Sequence, residues 1–276
     1  MNEISDDQMI ALMQAMRTVA QAEIMPRFHA LSATSIRTKT ADDDLVTDAD
    51  LCAEAALARQ LETILGDIAI VGEEAVSSDR TVLEHLRGHS PVAIIDPVDG
   101  TWNFAHGVPL FGSILAIVAG GQTIAGLIHY PCLDDFLVAR PGRGAWHVGA
   151  GGQSTRIAVA VPSPTSNMHG FVPLHMYPSE LQSRIAPRLG AFSRTTTWRC
   201  SAFEYRMLAT GAMSFCANAG LAPWDHAAGA LIHAEAGGYA ALLTQEPYCP
   251  TILNGILLAA PDRESWKQIR TALFEM

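Results

Sequence analysis

Two aspartates three residues apart, Asp96 and Asp99 in Asp96-Pro97-Val98-Asp99-Gly100-Thr101, are the side chains of this sequence best suited to hold a cation. They follow the apolar, β-branched run Val92-Ala93-Ile94-Ile95, bounded by Pro91 and by the Pro97/Gly100 turn, which reads as a buried strand ending in acids. Two carboxylates withdrawn from water at one point repel each other unless a positive charge lies between them. Gly100 and Thr101 open the next segment, where a glycine lets backbone N–H groups come close to an anion and a helix start favours negative charge. The chemistry implied is a metal on one side and a phosphate on the other. The alternative is that both aspartates cap a short helix, as Asp often does in a strand-to-helix turn.

Two further stretches weigh against simple capping. Gly72-Glu73-Glu74 follows the apolar Ile68-Ala69-Ile70-Val71, a second strand ending in acids. Trp224-Asp225-His226-Ala227-Ala228-Gly229 puts an acid at the start of an alanine-rich helical segment. These three stretches, in this order, resemble the inositol monophosphatase family of magnesium-dependent sugar-phosphate phosphatases, marked by a GEE turn, by DPxDGT with a following Asn-Phe pair (here Asn103-Phe104), and by WDxAAG. A fourth match is Lys39 with Asp44-Leu45-Val46-Thr47-Asp48-Ala49-Asp50, and the resemblance runs from about residue 39 to Glu235-Ala236-Gly237-Gly238.

The resemblance implies a role for each matching residue. Glu73, Asp96 and the backbone oxygen of Val98 would hold one Mg²⁺, and Asp96, Asp99 and Asp225 a second, with Asp96 bridging and two or three ions per site. Asp50 and Thr101 match a carboxylate–hydroxyl pair that orients the attacking water, with Glu73 also counted among the catalytic groups. The Gly100 and Thr101 N–H groups would receive the phosphate. Lys39 and Glu74 match groups behind these ligands or at a third metal; the alternatives are a solvated lysine and a surface acid. Hard oxygen donors suit Mg²⁺, and phosphoryl transfer chiefly needs charge stabilised while water is held in line.

The substrate end matches less well. Inositol-hydrolysing members carry a Glu seven residues before the WD aspartate, where this chain has Asn218, and Gly-Ser/Thr-Ala where it has Arg199-Cys200-Ser201-Ala202. Arg199, Ser201 and Asn218 are therefore the candidate substrate contacts, and Glu204 is an acid that could reach the place of the missing one. The expected function is Mg²⁺-dependent hydrolysis of a small phosphate monoester, inositol 1-phosphate by default. The alternatives are histidinol phosphate, whose phosphatases Val108-Pro109-Leu110-Phe111-Gly112 resembles, or a regulatory protein that keeps the scaffold without turnover. A bisphosphate substrate would want further cations, for which Arg199 and Arg206 are the nearby candidates. His106, His226 and the other eight histidines show no metal spacing and read as structural or substrate-contacting.

These residues need elements to position them. Ser5 and Gln8 form a capping-box pattern ahead of Met9, Leu12, Met13, Met16, Val19 and Ala20, a helix expected to end at Pro26. A second helix is expected over 48–65 with Gly66 beyond it, a strand over 67–71 and a short helix over 81–87 closed by Gly88. Strands 113–118 and 123–129 read as a hairpin across Gly120-Gly121, and 136–139 and 145–148 continue an antiparallel sheet. The second half reads as strand 156–160, helix 179–188, strand 193–197, helix 201–209, strand 212–217, helix 224–235, strand 255–260 and a final helix capped by Asp262. With the Gly-rich 149–154 as boundary, the chain divides into an α+β domain over 1–150 and an α/β domain over 151–276 carrying Asp225 and the substrate contacts. The resemblance adds a layered αβαβα sandwich and a homodimer.

Composition closes off other classes. A chain of 276 residues, 49% hydrophobic and 17% charged, is globular and has a sizeable core. A net charge of −10 without any Lys/Arg run argues against a nucleic-acid surface. Five scattered cysteines, never in CxxC spacing, exclude a disulfide framework or zinc site and fit a reducing cytoplasm. The polar, acidic start Met1-Asn2-Glu3-Ile4-Ser5-Asp6-Asp7 has no secretory-signal pattern, and no apolar run is long enough to span a membrane. The expected partner is thus a small phosphorylated polyol or amino alcohol, not nucleic acid or membrane.

Overall fold

The computed structural model describes residues 3–30, 36–38 and 45–275. Lys39 and Asp44 of the fourth motif lie outside these described residues. The chain begins with α1 (Asp6–Val19), whose capping box is formed as the sequence suggested: the Ser5 hydroxyl accepts from the Gln8 N–H and the Gln8 side chain accepts from the Ser5 N–H. Helical structure does not stop at Pro26. Ala20–Ile24 form a π-helical turn and α2 (Met25–His29) follows directly, with Pro26 in its first turn. A short antiparallel pair, β1 (Ile36–Thr38) and β2 (Leu45–Thr47), leads into α3 (Asp48–Leu65), which has the bounds read from its sequence.

The first sheet has seven strands. β3 (Ala69–Gly72) is followed by α4 (Glu73–Ser78) and a 3₁₀ helix over Arg80–Arg87, then by β4 (Val92–Asp99) and α5 (Thr101–Ala105). β5 (Gly112–Ala119), β6 (Gln122–Tyr130), β7 (Asp135–Ala139), β8 (Ala145–Val148) and β9 (Ser154–Arg156) complete the sheet in chain order. β3 and β4 run parallel and the other neighbours antiparallel. β4 is buried throughout, with Ala93 and Ile95 in the core under α1 and α3, and Val92 and Ile94 in the core on the opposite face.

The second half contributes β10 (His169–Phe171), α6 (Ser179–Ile185), β11 (Arg194–Thr196), α7 (Ser201–Ala209), β12 (Phe215–Asn218), α8 (Pro223–Glu235), β13 (Tyr239–Leu242), β14 (Leu257–Ala260) and α9 (Arg263–Phe274). Its sheet, ordered β11-β10-β12-β14-β13, is parallel over the first three strands, with β14 antiparallel to both its neighbours. α7 and α8 lie between the sheets, α8 against β4 to β7 and β13, α7 against β5 and β12. α6 and α9 cover the outer face of the second sheet around Trp266 and Ile269. The layers are αβαβα, as the resemblance implied.

Several elements depart from the sequence reading. The strand expected over 156–160 is instead β9, on the edge of the first sheet. Beyond it Ile157 bonds to Ala145 on β8 while Val159 bonds to Ala236 after α8, so no ladder can form. β10 and β13 were not anticipated. They have three and four residues, and neither His169-Gly170-Phe171 nor Tyr239-Ala240-Ala241-Leu242 carries a clean alternation. Six-residue α4 was missed for want of an apolar period. Among the described residues, no helix is long and apolar enough to cross a membrane.

Candidate active site

Residues i and i+3 of a regular strand point to opposite faces, yet Asp96 and Asp99 converge. The reason is a bulge: the β4–β5 register slips by one residue between Asp96↔Ile114 and Asp99↔Gly112. The Ser113 hydroxyl holds the bulge by donating to the Pro97 carbonyl at 2.6 Å. Asp225 arrives from the first turn of α8, where the helix dipole favours an acid. Carboxylate oxygens of Asp96, Asp99 and Asp225 lie within 4.8 Å of one another.

Asp96 and Asp99 are almost fully buried, at 2% and 7% exposure. Burial pushes the Asp96 carboxyl well above its usual range, and the charges of Glu73, Asp99, Asp225 and Asp50 push it further. Burial likewise raises Asp99 to about 6, against hydrogen bonds from the Ala202 N–H at 2.6 Å and the Cys200 thiol at 3.1 Å, which favour its charged form. Crowded, desolvated carboxylates of this kind are stabilised by a cation among them. The all-oxygen donor set fits a hard divalent ion.

Thr101 stands at the first position of α5, after Gly100 in the left-handed region at φ 89°. A Cβ on Gly100 would also lie 2.9 Å from the Leu110 carbonyl oxygen, so glycine is required there. The Thr101 hydroxyl oxygen is 3.1 Å from both Asp50 Oδ1 and the Val98 carbonyl oxygen. Asp50 is fixed from the other side, since its Oδ2 accepts the Thr47 N–H at 2.8 Å and the Thr47 hydroxyl at 2.5 Å in the capping box of α3. The Val98 side chain is buried in the core under α3, which leaves its carbonyl for the turn.

Glu73 begins α4 at the end of β3, beside the end of its parallel neighbour β4, and lines the same cleft as Asp96. Glu74 is buried rather than a surface acid and is not among the residues lining that cleft. Its N–H and that of Ala75 donate to the two oxygens of Glu54, each at 2.9 Å. Glu54 escaped the sequence reading. Its place on α3 one turn after Asp50 puts the two on one helical face but does not mark it as buried.

The cleft, about 290 Å³, extends from these acids past Thr101, Trp102, Arg199, Ser201 and His175 to Glu204 and Asn218. Arg199 sits over the Trp102 ring at 4.9 Å and has a left-handed backbone, φ 54°, at the stretch where the inositol-hydrolysing pattern has glycine. Asn103, of the Asn-Phe pair, braces this wall by donating to the Leu110 and Trp198 carbonyls. Glu204 reaches the place considered for a substitute acid. It is 4% exposed, accepts from the Trp198 N–H at 3.1 Å and from the Asn218 amide, and is raised by burial to about 7. His226 also lines the cleft, and its ring is bonded to the Gly220 carbonyl oxygen at 2.6 Å and to the Tyr205 hydroxyl. Arg206 is engaged by Asp135 through two bonds of 2.8 Å and does not line the cleft.

Comparison with known proteins accounts for this geometry. The fold is that of a Thermotoga maritima IMPase structure, with a TM-score of 0.80, 24% identity and 98% and 99% of the two chains covered. A Bartonella henselae structure titled extragenic suppressor protein suhB matches equally, at TM-score 0.80 and 22% identity, with the same coverage. Among relatives by sequence, a Thermotoga maritima fructose-1,6-bisphosphatase/inositol-1-monophosphatase is 30% identical over 74% of this chain and 73% of its own. A Chlorobaculum parvum histidinol-phosphatase is 32% identical over 71% of this chain and 72% of its own. The profile of the inositol monophosphatase family matches residues 5–275, and the chain belongs to that family of phosphoric monoester hydrolases.

Proposed function

We propose that this chain hydrolyses a small polyol phosphate of the inositol 1-phosphate class with Mg²⁺ held by Glu73, Asp96, the Val98 carbonyl, Asp99 and Asp225. The observation that carries the reading is the convergence of the Asp96, Asp99 and Asp225 oxygens within 4.8 Å, beside a hydroxyl already bonded to a buried carboxylate. When bound, Mg²⁺ supplies positive charge to the phosphoryl oxygens. The Gly100 and Thr101 N–H groups, at a helix start where such groups lack intrahelical acceptors, receive the phosphate. The Thr101 hydroxyl donates to Asp50, so its lone pairs orient the attacking water, and Asp50 accepts the proton passed along this chain.

Glu204 favours a second substrate reading, an amino-alcohol ester such as histidinol phosphate, because a buried carboxyl at the leaving-group end can pair with an amine. It also argues against a gain on either substrate from Asn218→Glu. A new acid at 218 would face Glu204 and remove the amide that now donates to it. The pairing of Arg206 with Asp135 argues against a bisphosphate, since it leaves Arg199 as the nearby cation of the two named.

The enzyme is further proposed to be a cytoplasmic homodimer acting on free small molecules, with no nucleic-acid or membrane partner. Five unpaired thiols support a reducing compartment, and sedimentation velocity tests the dimer. Turnover of inositol 1-phosphate, histidinol phosphate and p-nitrophenyl phosphate, each with and without Mg²⁺, tests the function. Mg²⁺-dependent hydrolysis is expected for all three. Binding of Mg²⁺ and phosphate without turnover would instead favour a regulatory protein on a retained scaffold.

A further inference from the structure

We propose that Glu54 is a positioning residue for Glu73: its carboxylate clamps the start of α4 from α3 and thereby aims the first acid of that helix at Asp96. This rests on the reading of Glu73 as a metal ligand. α4 has six residues and no side-chain cap of its own. The first N–H groups of a helix need an external acceptor, and Glu54 supplies one oxygen each to the N–H groups of Glu74 and Ala75. Glu73 is the residue just before this pair, so the two bonds fix the peptide plane that carries it.

The space under the turn is shaped for that carboxylate. A Cβ at Gly72 would lie 2.3 to 2.6 Å from the Glu54 carboxyl carbon and oxygens, so any side chain at 72 would displace it. Glu54 and Asp50 are one turn apart on α3, on neighbouring positions of one helical face. Asp50 holds Thr101 and Glu54 holds the Glu73 turn. One rigid helix therefore sets the separation between the hydroxyl pair and the acid that ends β3.

Mn²⁺ binding to the metal-stripped protein, read as free Mn²⁺ by electron paramagnetic resonance, tests the assignment without relying on turnover. Loss of a group that orients a ligand typically costs about 10–100-fold in metal affinity. Glu54→Ala is expected to weaken Mn²⁺ by about tenfold or more, with KM for p-nitrophenyl phosphate at saturating metal changed by less than about twofold. Glu54→Gln keeps the volume and one of the two acceptors, and should fall between Ala and the parent. It carries the test if the alanine variant does not fold. In a Glu73→Gln background, Glu54→Ala should have no further effect on affinity, because its influence passes through Glu73. Unchanged affinity in Glu54→Gln and Glu54→Ala, or full additivity with Glu73→Gln, overturns the assignment. If Glu73→Gln itself leaves affinity unchanged, the ligand reading fails and this inference falls with it.

Discussion

Asp96 is where the competing demands on single residues are clearest. Its carboxyl is buried, repelled by four other acids and raised well above its ordinary range, an arrangement that a cation among them would stabilise. Asp96→Asn and Asp225→Asn are each expected to abolish nearly all Mg²⁺-dependent turnover, and near wild-type rates at saturating Mg²⁺ would remove them from the metal site. Thr101→Ala should lower kcat by about 10²-fold with KM nearly unchanged, since orienting a water acts mainly in the transition state; stopped-assay kinetics on p-nitrophenyl phosphate read both constants. Glu204 gives a pH prediction. Its carboxyl titrates near 7 in the folded chain against an ordinary 4.5. The folded state therefore holds a proton that the unfolded state has lost between those values, and stability falls as pH rises through that window. Glu204→Gln removes this slope: its Tm should match the parent near pH 5 and exceed it at pH 8, and an equal offset at both pH values would contradict the assignment. The candidate acids Glu73, Asp96, Asp99 and Asp225 were legible because three motifs ended strands or began helices with carboxylates. Glu54 and the partners of Glu204 were not, because a buried acid one helical turn from another has no pattern that distinguishes it from a surface acid.

Among the elements, β4 shows how local sequence and geometry part company. The run 92–95 reads correctly as a buried strand, but the sequence reading ends it at the Pro97/Gly100 turn. The strand in fact continues to Asp99 through a bulge held by Ser113, and bulges depend on the partner strand, which no single run of residues encodes. α3 was readable to its ends because its capping box, its stripe of Ala49, Ala53, Leu57 and Leu61, and Gly66 all agree. α4 was not, since it depends on a carboxylate from another helix. That dependence makes Gly72→Ala informative. The added Cβ collides with the Glu54 carboxylate, so the variant should lose about 1–3 kcal/mol in urea unfolding, in the range for overpacked sites. A variant as stable as the parent would mean that Glu54 has room to move aside.

On the scale of the whole molecule, the cleft lies where the layers meet. The first sheet gives Asp96 and Asp99, and α4, which follows β3, gives Glu73; the middle helices give Ser201, Glu204 and Asp225; the second sheet gives Asn218. The family resemblance made this layering an expectation, whereas periodicity alone could not assemble it from strands as short as β10 and β11, three residues each. On the proposed function, Glu73, Asp96, Asp99 and Asp225 gather Mg²⁺ for phosphate monoester hydrolysis. The most direct measurement is the steady-state release of phosphate from inositol 1-phosphate by the metal-stripped chain as Mg²⁺ is added, for the parent and for Asp225→Asn side by side. A saturable rise from near zero in the parent and a flat line in the variant are predicted; turnover that is independent of Mg²⁺, or undiminished in Asp225→Asn, would contradict the account.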